Sequence, residues 1–325
     1  MNGTAEQAAA SAKAAEAAQE SAAAMEGSAA AATTLAQRRR HGALVGIGLT
    51  VTACACFALL DTATKYVSAA VPLFMALWWR YLIQSVLTTA FVLQREGVAA
   101  LRTTQPRFQA LRAALFASTS LFGFFSIQHL PLAEFTAIVA TTPLCVTLVA
   151  ALWLHQPVSA LRWVLVACGM AGTLAIIRPG SESFTWAMLL PLCMLVTGTG
   201  YQVLSSKMAG RESPATTQLY TGWLATALVS LGLPFAWTAI ADVRLWAGLF
   251  VMGLTSAIGH LFLLKAYART TPATIAPFLY SQIGFAMLAG WWMYGHVPDG
   301  WSLAGMAAIA GSGAASAWLT VRETR

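Results

Sequence analysis

Ionisable side chains inside apolar stretches are the residues most able to carry chemistry in this sequence. A charge in hydrocarbon is costly, so such a group usually faces the interior of a helix bundle or a wet cavity. There it can bind a substrate or an ion. The candidates in these surroundings are Asp61, Lys65, Arg80, Glu134, His260 and Lys265.

Asp61 and Lys65 lie one helical turn apart and therefore share a helix face. As a binding pair they would hold the charged ends of a zwitterionic substrate; as a structural pair they would neutralise each other. Lys65 could also extend its ammonium to the membrane surface. Arg80, next to Trp79, would bind a substrate carboxylate or a ring, or else pair with Asp61 and lock two helices together.

Glu134 and His260 are candidates, with Asp61, for coupling to protons. Glu134 opens an apolar segment just after a tight turn at 128–132, where a carboxylate also stabilises the helix dipole. His260 titrates near neutral pH, and it would serve as a proton relay or as a hydrogen-bonded packing residue.

Uncharged side chains extend the candidate site. Tyr201, Tyr280 and Gln282 would suit a pocket for a small amphipathic solute, or the ordinary interior of a bundle. Pro143 and Pro277 remove backbone hydrogen bonds within helices. They would therefore free carbonyl groups into a cavity, or merely kink the helices.

Several functional classes are not expected. The sequence has no Ser/His/Asp set, no metal-spaced cluster and no phosphate-binding glycine loop, so we predict no enzyme activity, metal or cofactor. The net charge is +7, but the cations lie between apolar segments rather than in one patch, which argues against nucleic acid. The five cysteines fall inside apolar segments and are interpreted as small buried hydrophobes.

The composition predicts an all-α membrane protein that lies in the lipid bilayer. Apolar residues make up 58% of the chain and charged residues only 10%, against about 25% charged in soluble domains. Ten apolar segments are each near the roughly 20 residues that cross a bilayer as a helix. They span 43–66, 71–93, 110–128, 132–154, 161–178, 184–206, 215–238, 245–267, 273–294 and 301–321.

An internal duplication organises these segments. Lys65 and Pro72 recur 142 positions later as Lys207 and Pro214, and a His-x-Pro motif recurs 141 positions on. That motif is His155-x-Pro157 in the first copy and His296-x-Pro298 in the second. Five spans per half is an odd number, so the repeats, 43–178 and 184–321, are expected to be inverted. Two inverted halves that rock around a midplane site are typical of secondary transporters.

Cations and small residues predict the orientation and the contacts. Arginines at 38–40 place the N-terminus in the cytoplasm, and the loop that we assign to Arg95, Arg102, Arg107 and Arg112 follows on the same side, with the C-terminus also inside. Residues 1–40 are expected to form a disordered Ala-rich cytoplasmic tail. Gly169 and Gly172, with Gly305, Gly311 and Gly313, suit close helix crossings between halves or between the protomers of a homodimer.

Short motifs in order along the spans resemble the drug/metabolite transporter superfamily, in its EamA-like branch. The resemblance covers about 43–321 and is carried by the stretch Phe57–Lys65, Trp79-Arg80, Pro143-Leu144, Arg178-Pro179-Gly180, Ala266-Tyr267 and Ala276-Pro277-Phe278. It implies ten helices in two inverted repeats. One departure is clear: many relatives carry Glu two residues before the Pro that ends spans four and nine, where this chain has His155 and His296.

We therefore predict a permease of the bacterial cytoplasmic membrane that moves a small metabolite, an amino acid or related compound, by alternating access. The resemblance favours efflux, and protons are the expected coupling ion. Spans one to four and six to nine would line the path, and spans five and ten would brace it. The alternative is a non-transporting membrane scaffold or sensor that acts through a protein partner.

Overall fold

The structure is a computed structural model that describes residues 41–142, 144–145, 149, 152, 159–178, 181, 184–208, 212–269, 275 and 278–323. The predicted tail lies outside these residues, as do Pro143, Pro277 and the first His-x-Pro motif.

The described residues fold into helices joined by short loops, and each predicted apolar segment contains helix. The principal helices are α1 His41–Ser68, α2 Leu73–Glu96, α3 Pro106–His129, α4 Leu132–Val139, α5 Ala160–Ile177, α6 Leu190–Met208, α7 Pro214–Ser230, α8 Val243–Arg269, α9 Ser281–Tyr294 and α10 Gly300–Glu323. Short helical turns occupy Val98–Leu101, Trp186–Leu189 and Leu233–Ala236.

Five helical stretches within the described residues are long and apolar enough to span a membrane. They are His41–Ser68, Pro106–His129, Ala160–Ile177, Trp186–Ser205 and Val243–Leu263. An all-helical membrane protein is therefore supported, and the crossing of all ten segments stays a prediction.

Prolines begin several helices where the sequence changes direction. Pro72 and Pro131 immediately precede α2 and α4, and Pro106 is the first residue of α3. The fixed φ of proline suits a helix start, and its missing N–H is not needed there. The predicted tight turn before α4 is confirmed, because extended backbone at Leu130 and Pro131 alone separates α3 from α4.

The fourth and ninth segments are both interrupted. Turns at Ala140 and Thr141 end α4 before helix resumes at Thr142, and a turn at Tyr280 precedes α9. The carbonyls beside this break accept from side chains: those of Phe278 and Leu279 face the Cys54 thiol at 3.7 and 3.5 Å, and that of Phe278 also accepts from Ser281 Oγ at 2.7 Å. Interrupted helices at membrane depth are tolerated where protein or a cavity satisfies the backbone.

The helices pack in a pattern that repeats between the two halves. The α2 helix packs against α7 and α8, α3 against α6 and α7, α4 against α6 and α9, and α5 against α10. The α1 helix contacts α8 through Gly248 and Gly259, and it contacts α9 through Asp61. Exchanging every helix for the one five places away returns this same set of principal pairings.

The α2 and α7 helices, the second helix of each predicted half, run antiparallel. Hydrogen bonds along the α2–α7 crossing join Trp78 to Ser230 (2.9 Å), Ser85 to Thr226 (3.5 Å) and Thr89 to Trp223 (2.9 Å). Residue numbers rise along α2 as they fall along α7, so the two helices run in opposite directions.

Glycines bring α5 and α10 into close contact, as the sequence predicts. A Cβ atom on Gly172 would lie 2.8 Å from the carbonyl oxygen of Gly305, and one on Gly305 would lie 2.6 Å from that of Gly172. Gly311 has open space instead. The predicted small-residue contact therefore joins the two halves.

Candidate substrate site

A carboxylate of α1 and an amide of α9 meet, and a guanidinium of α2 lies close enough for its charge to act on the carboxylate. The side-chain amide of Gln282 donates to Asp61 Oδ2 at 3.3 Å, and the Arg80 charge interacts with the same carboxylate. Asp61 and Gln282 belong to opposite halves of the chain. The two charges compensate each other inside the bundle, where an isolated charge would be costly.

A hydrogen-bonded chain continues from Arg80 along α2 and α8. Arg80 Nε donates to Ser256 Oγ at 3.4 Å, and Ser256 Oγ donates to Gln84 Oε1 at 2.8 Å. Ser256 and Gln84 are almost fully buried. Within the described residues Gln84 Nε2 has no hydrogen-bond partner and is enclosed by protein, so its N–H groups could bind a solute only after the surrounding helices separate.

His260 lies beside this chain, one helical turn after Ser256. Its Nδ1 lies 2.7 Å from the Ser256 carbonyl, and only an N–H can donate to that oxygen. The ring meets Phe57 edge-on at 5.0 Å between centroids. This geometry favours the hydrogen-bonded packing alternative for Nδ1 and leaves Nε2 as the remaining polar atom.

Aromatic rings from three helices form a wall on one side of the cluster. Tyr81 of α2 lies 5.6 Å from Phe116 of α3, and Phe116 lies 5.3 Å from Tyr201 of α6. Phe116 also contacts the His260 ring at 6.3 Å. Tyr81 and Phe116 are themselves buried, so a solute would pack against this wall only when the helices around it separate.

The structure corrects the predicted position of Arg112. We predicted it as a loop cation, but it lies inside α3 and is only 4% exposed. Its guanidinium donates to Ser205 Oγ (2.6 Å), Thr221 Oγ1 (2.7 Å), Tyr201 Oη (2.9 Å), the Thr217 carbonyl (3.0 Å) and Gln109 Oε1 (3.4 Å). These partners fix α3 to α6 and α7. Arg112 is therefore a buried structural residue and should not be counted among the loop cations that predict the orientation.

Lys65 lies apart from the group of residues around Asp61 and Arg80, which we call the central cluster. Its ammonium donates to the carbonyls of Ile127 (3.1 Å) and Leu130 (2.5 Å) and lies 5.5 Å from the Tyr294 ring. The ammonium therefore stabilises the C-terminal end of α3, where cations are favoured. The structure thus gives Lys65 and Asp61 different partners rather than joining them in one ion pair.

Glu134 lies with Lys65, in the first turn of α4, as predicted. It is 7% exposed, and one carboxylate oxygen is 2.9 Å from Nε2 of His296. Glu134 can therefore stabilise the helix dipole and pair with His296 at the same time. In the sequence His296 was marked by the duplicated motif and by its departure from the family's Glu, and neither indicated its partner.

Two aromatic candidates lie outside the central cluster. Trp79 meets Trp78 and Trp246 edge-on at 5.1 and 5.2 Å, and its buried indole N–H has no partner among the described residues. Tyr280 packs against Gly313 of α10. Of the candidates predicted from the sequence, the central cluster contains Asp61, Arg80, Tyr201, His260 and Gln282. It also contains Gln84 and Ser256, which were not predicted.

Comparisons with known proteins agree with this architecture. The family model of the EamA-like transporter family matches residues 44–178. A riboflavin transporter of Rhizobium johnstonii is 30% identical over 272 residues, which cover 82% of this chain and 89% of the relative. The pseudopaline exporter CntI of Pseudomonas aeruginosa is 27% identical over 265 residues, covering 80% of this chain and 91% of the relative.

A solved crystal structure shares the fold, with a TM-score of 0.62 at 19% identity over 87% of this chain and 99% of that one. Sequence, helices and relatives therefore agree: this multi-pass membrane protein belongs to the EamA-like transporter family of the drug/metabolite transporter superfamily, whose members move small molecules.

Proposed function

We propose that this protein transports a neutral, polar, ring-containing solute of the riboflavin type across the bacterial cytoplasmic membrane. The observation that carries the proposal is charge compensation beside an aromatic wall. Arg80 lies close enough for its charge to act on the Asp61 carboxylate, so a charged pair would leave the site with little net charge to select an ion. The rings of Tyr81, Phe116 and Tyr201 would hold a planar solute, and the free N–H groups of Gln84 would bind its carbonyl oxygens.

A zwitterionic amino-acid-like solute is the second candidate, as the sequence predicts. Asp61 would bind its ammonium group, and Arg80 its carboxylate. The similarity to an exporter of pseudopaline supports this alternative. Such a solute must compete with the existing Asp61–Arg80 interaction, whereas a neutral ring does not.

Alternating access between two inverted five-helix repeats is the proposed mechanism. Two features support it: the principal pairings survive exchange of the halves, and equivalent helices run antiparallel at the α2–α7 crossing. A repeat axis in the membrane plane reverses helix direction, whereas an axis along the membrane normal preserves it. We place both termini in the cytoplasm and propose export, with protons as the coupling ion.

A counterflow assay tests the function. Purified protein would be reconstituted into liposomes preloaded with unlabelled riboflavin or with a pool of amino acids, and uptake of the matching labelled solute would be followed. Accumulation with riboflavin alone supports the proposal, and accumulation with amino acids alone supports the second candidate. Failure of correctly folded protein to exchange any pooled metabolite would overturn the transport function itself.

Direction is tested in the same vesicles. With a pH gradient of either sign imposed, net movement against the solute gradient identifies the coupled direction. Movement out of the side that carries the α2–α3 loop supports export.

A further inference from the structure

Glu134 and His296 join the two halves of the molecule at the end that contains Lys65. Glu134 lies on α4 and His296 follows α9, and Nε2 of the imidazole is 2.9 Å from Glu134 Oε1. The carboxylate side chain is 10% exposed and the imidazole is 35% exposed. Solvent therefore reaches the pair through the histidine.

The pair has free capacity for a proton. Glu134 Oε2 is buried and has no hydrogen-bond partner among the described residues. When the neutral imidazole donates from Nε2 to Glu134, its Nδ1 holds a free lone pair, and a proton from water adds there without breaking the existing bond. The contact between a neutral imidazole and the carboxylate then becomes an imidazolium–carboxylate contact, which is the stronger of the two.

Among the described residues, the charged and titratable groups around the pair have partners of their own. Lys65 lies on the α3 carbonyls and interacts with Glu134, and Arg178 at the end of α5 forms a 2.7 Å salt bridge with Asp299. The Tyr294 hydroxyl donates to the Thr62 carbonyl at 3.2 Å. His129, at the end of α3, bonds the Phe125 carbonyl and faces Trp186.

We propose that Glu134 and His296 form a proton-binding site that bridges the two halves and controls the opening of this end of the transporter. Proton uptake strengthens the contact and holds the end closed, and proton loss weakens it. The site is distinct from the Asp61–Arg80 cluster, and its role in the transport cycle rests on the transport function proposed above.

The test compares wild type with His296→Gln and Glu134→Gln. Glutamine can place an amide nitrogen near the Nε2 position, so it preserves donation to Glu134 but does not titrate between pH 5 and 8. The matched control is His129→Asn, which changes another histidine at the same end. Counterflow rates would be measured with equal pH on both sides, in steps from about pH 5.5 to about pH 8.

We expect the wild-type and His129→Asn rates to rise several-fold from acid to alkaline pH, and the rates of His296→Gln and Glu134→Gln to stay nearly flat. A wild-type pH profile in His296→Gln, or its loss in His129→Asn, would overturn the site.

A second measurement needs no substrate. The difference in melting temperature between wild type and His296→Gln in detergent should grow as the pH falls, because the charged pair forms only when the imidazole is protonated. A difference independent of pH would overturn the proton site. A pH-dependent difference in a protein that transports nothing would support the site and contradict the transport function.

Discussion

Asp61 and Arg80 stabilise the bundle only together. Replacing Asp61 by Asn keeps an acceptor for Gln282 but leaves the Arg80 charge without its counter-charge. Breaking a buried ion pair at one partner costs about 3–5 kcal/mol, and the cost here should be smaller, because both side chains are only half-buried and form no direct salt bridge with each other. We therefore expect Asp61→Asn to lower the melting temperature in detergent and to reduce counterflow at least tenfold.

The charge-neutral double variant is the control for that prediction. Asp61→Asn with Arg80→Gln removes both charges, so it should recover much of the lost thermal stability while transport remains impaired. An Asp61→Asn protein as stable and active as wild type would show that the two charges are not coupled.

Arg112 should be a stabilising residue rather than a topology marker. Arg112→Gln removes bonds to acceptors on α6 and α7, and hydrogen bonds to charged groups contribute about 1.5–3 kcal/mol each. We expect a clearly lowered melting temperature. The matched control is Arg107→Gln in the exposed first turn of the same helix, which should stay close to wild type. Equal effects of the two variants would contradict this role.

The sequence identified the costly charges and offered Arg80 as a partner of Asp61, but it did not indicate the other partners. Asp61, Arg80 and His260 were recognisable because ionisable groups in apolar segments need an interior position. Gln84 was not, because an amide in an apolar helix is ordinary and only helix rotation brings it to Ser256. His296 was marked by the duplicated motif, yet its pairing with Glu134 depends on the turn that follows α9.

At the scale of elements, the α5–α10 crossing depends on missing side chains. Gly172→Ala would force a methyl group against the Gly305 carbonyl oxygen, and backbone cannot yield as a flexible side chain can. Overpacked contacts typically lower the free energy of unfolding by about 1–3 kcal/mol. We therefore expect a reduced yield of folded protein and a lower melting temperature.

Gly311→Ala on α10 is the matched control, because a Cβ atom there meets open space. It should be neutral, or slightly stabilising because alanine favours helix. Comparable losses in both variants, measured by size-exclusion yield and thermal scanning, would exclude close packing as the cause.

Two loops of opposite halves are joined by Glu212. Its carboxylate accepts from Thr103, Thr104, Gln105 and Gln109 in the α2–α3 loop and the start of α3. Partial burial raises the pKa of Glu212, but these hydrogen bonds outweigh it and hold the pKa below its usual value. A lowered pKa means that the contact stabilises the fold above the ordinary glutamate value, about 4.3, and is lost as pH falls further.

Glu212→Gln should therefore speed amide hydrogen exchange in the α2–α3 loop at neutral pH. The difference from wild type should shrink on acidification towards about pH 4 and below, where the wild-type carboxylate also becomes neutral. A difference that is the same at both pH values would mean that the charge of Glu212 contributes nothing.

Helix existence and helix ends differ in how well the sequence predicts them. Ten apolar segments gave the positions of the helices, because length and hydropathy follow from the bilayer. Pro277 was the predicted helix break in the ninth segment, and among the described residues the turn lies at Tyr280, three positions further along. Hydropathy does not change at such a break, since apolar residues line both of its sides.

At the scale of the whole molecule, the two halves meet at points that should move by different amounts during transport. Ser85 and Thr226 are within one residue of equivalent positions in the two repeats, since they are 141 residues apart and Pro72 and Pro214 are 142 apart, and they touch each other. Two nearly equivalent residues in contact must lie close to the axis that relates the halves. Rocking around a central site moves such a pair little, whereas it separates loops at the ends.

Cross-linking can distinguish these two places. In a background without the five native cysteines, Thr103→Cys with Glu212→Cys joins the loop contact, and Ser85→Cys with Thr226→Cys joins the crossing. A short methanethiosulfonate cross-linker should stop counterflow in the loop pair, because this end can no longer open, and reductant should restore it. The crossing pair, joined by the same reagent, should keep most of its activity. Full activity of the cross-linked loop pair would mean that the loops stay together throughout the cycle, and the transporter would then have to open by a motion that leaves this end fixed.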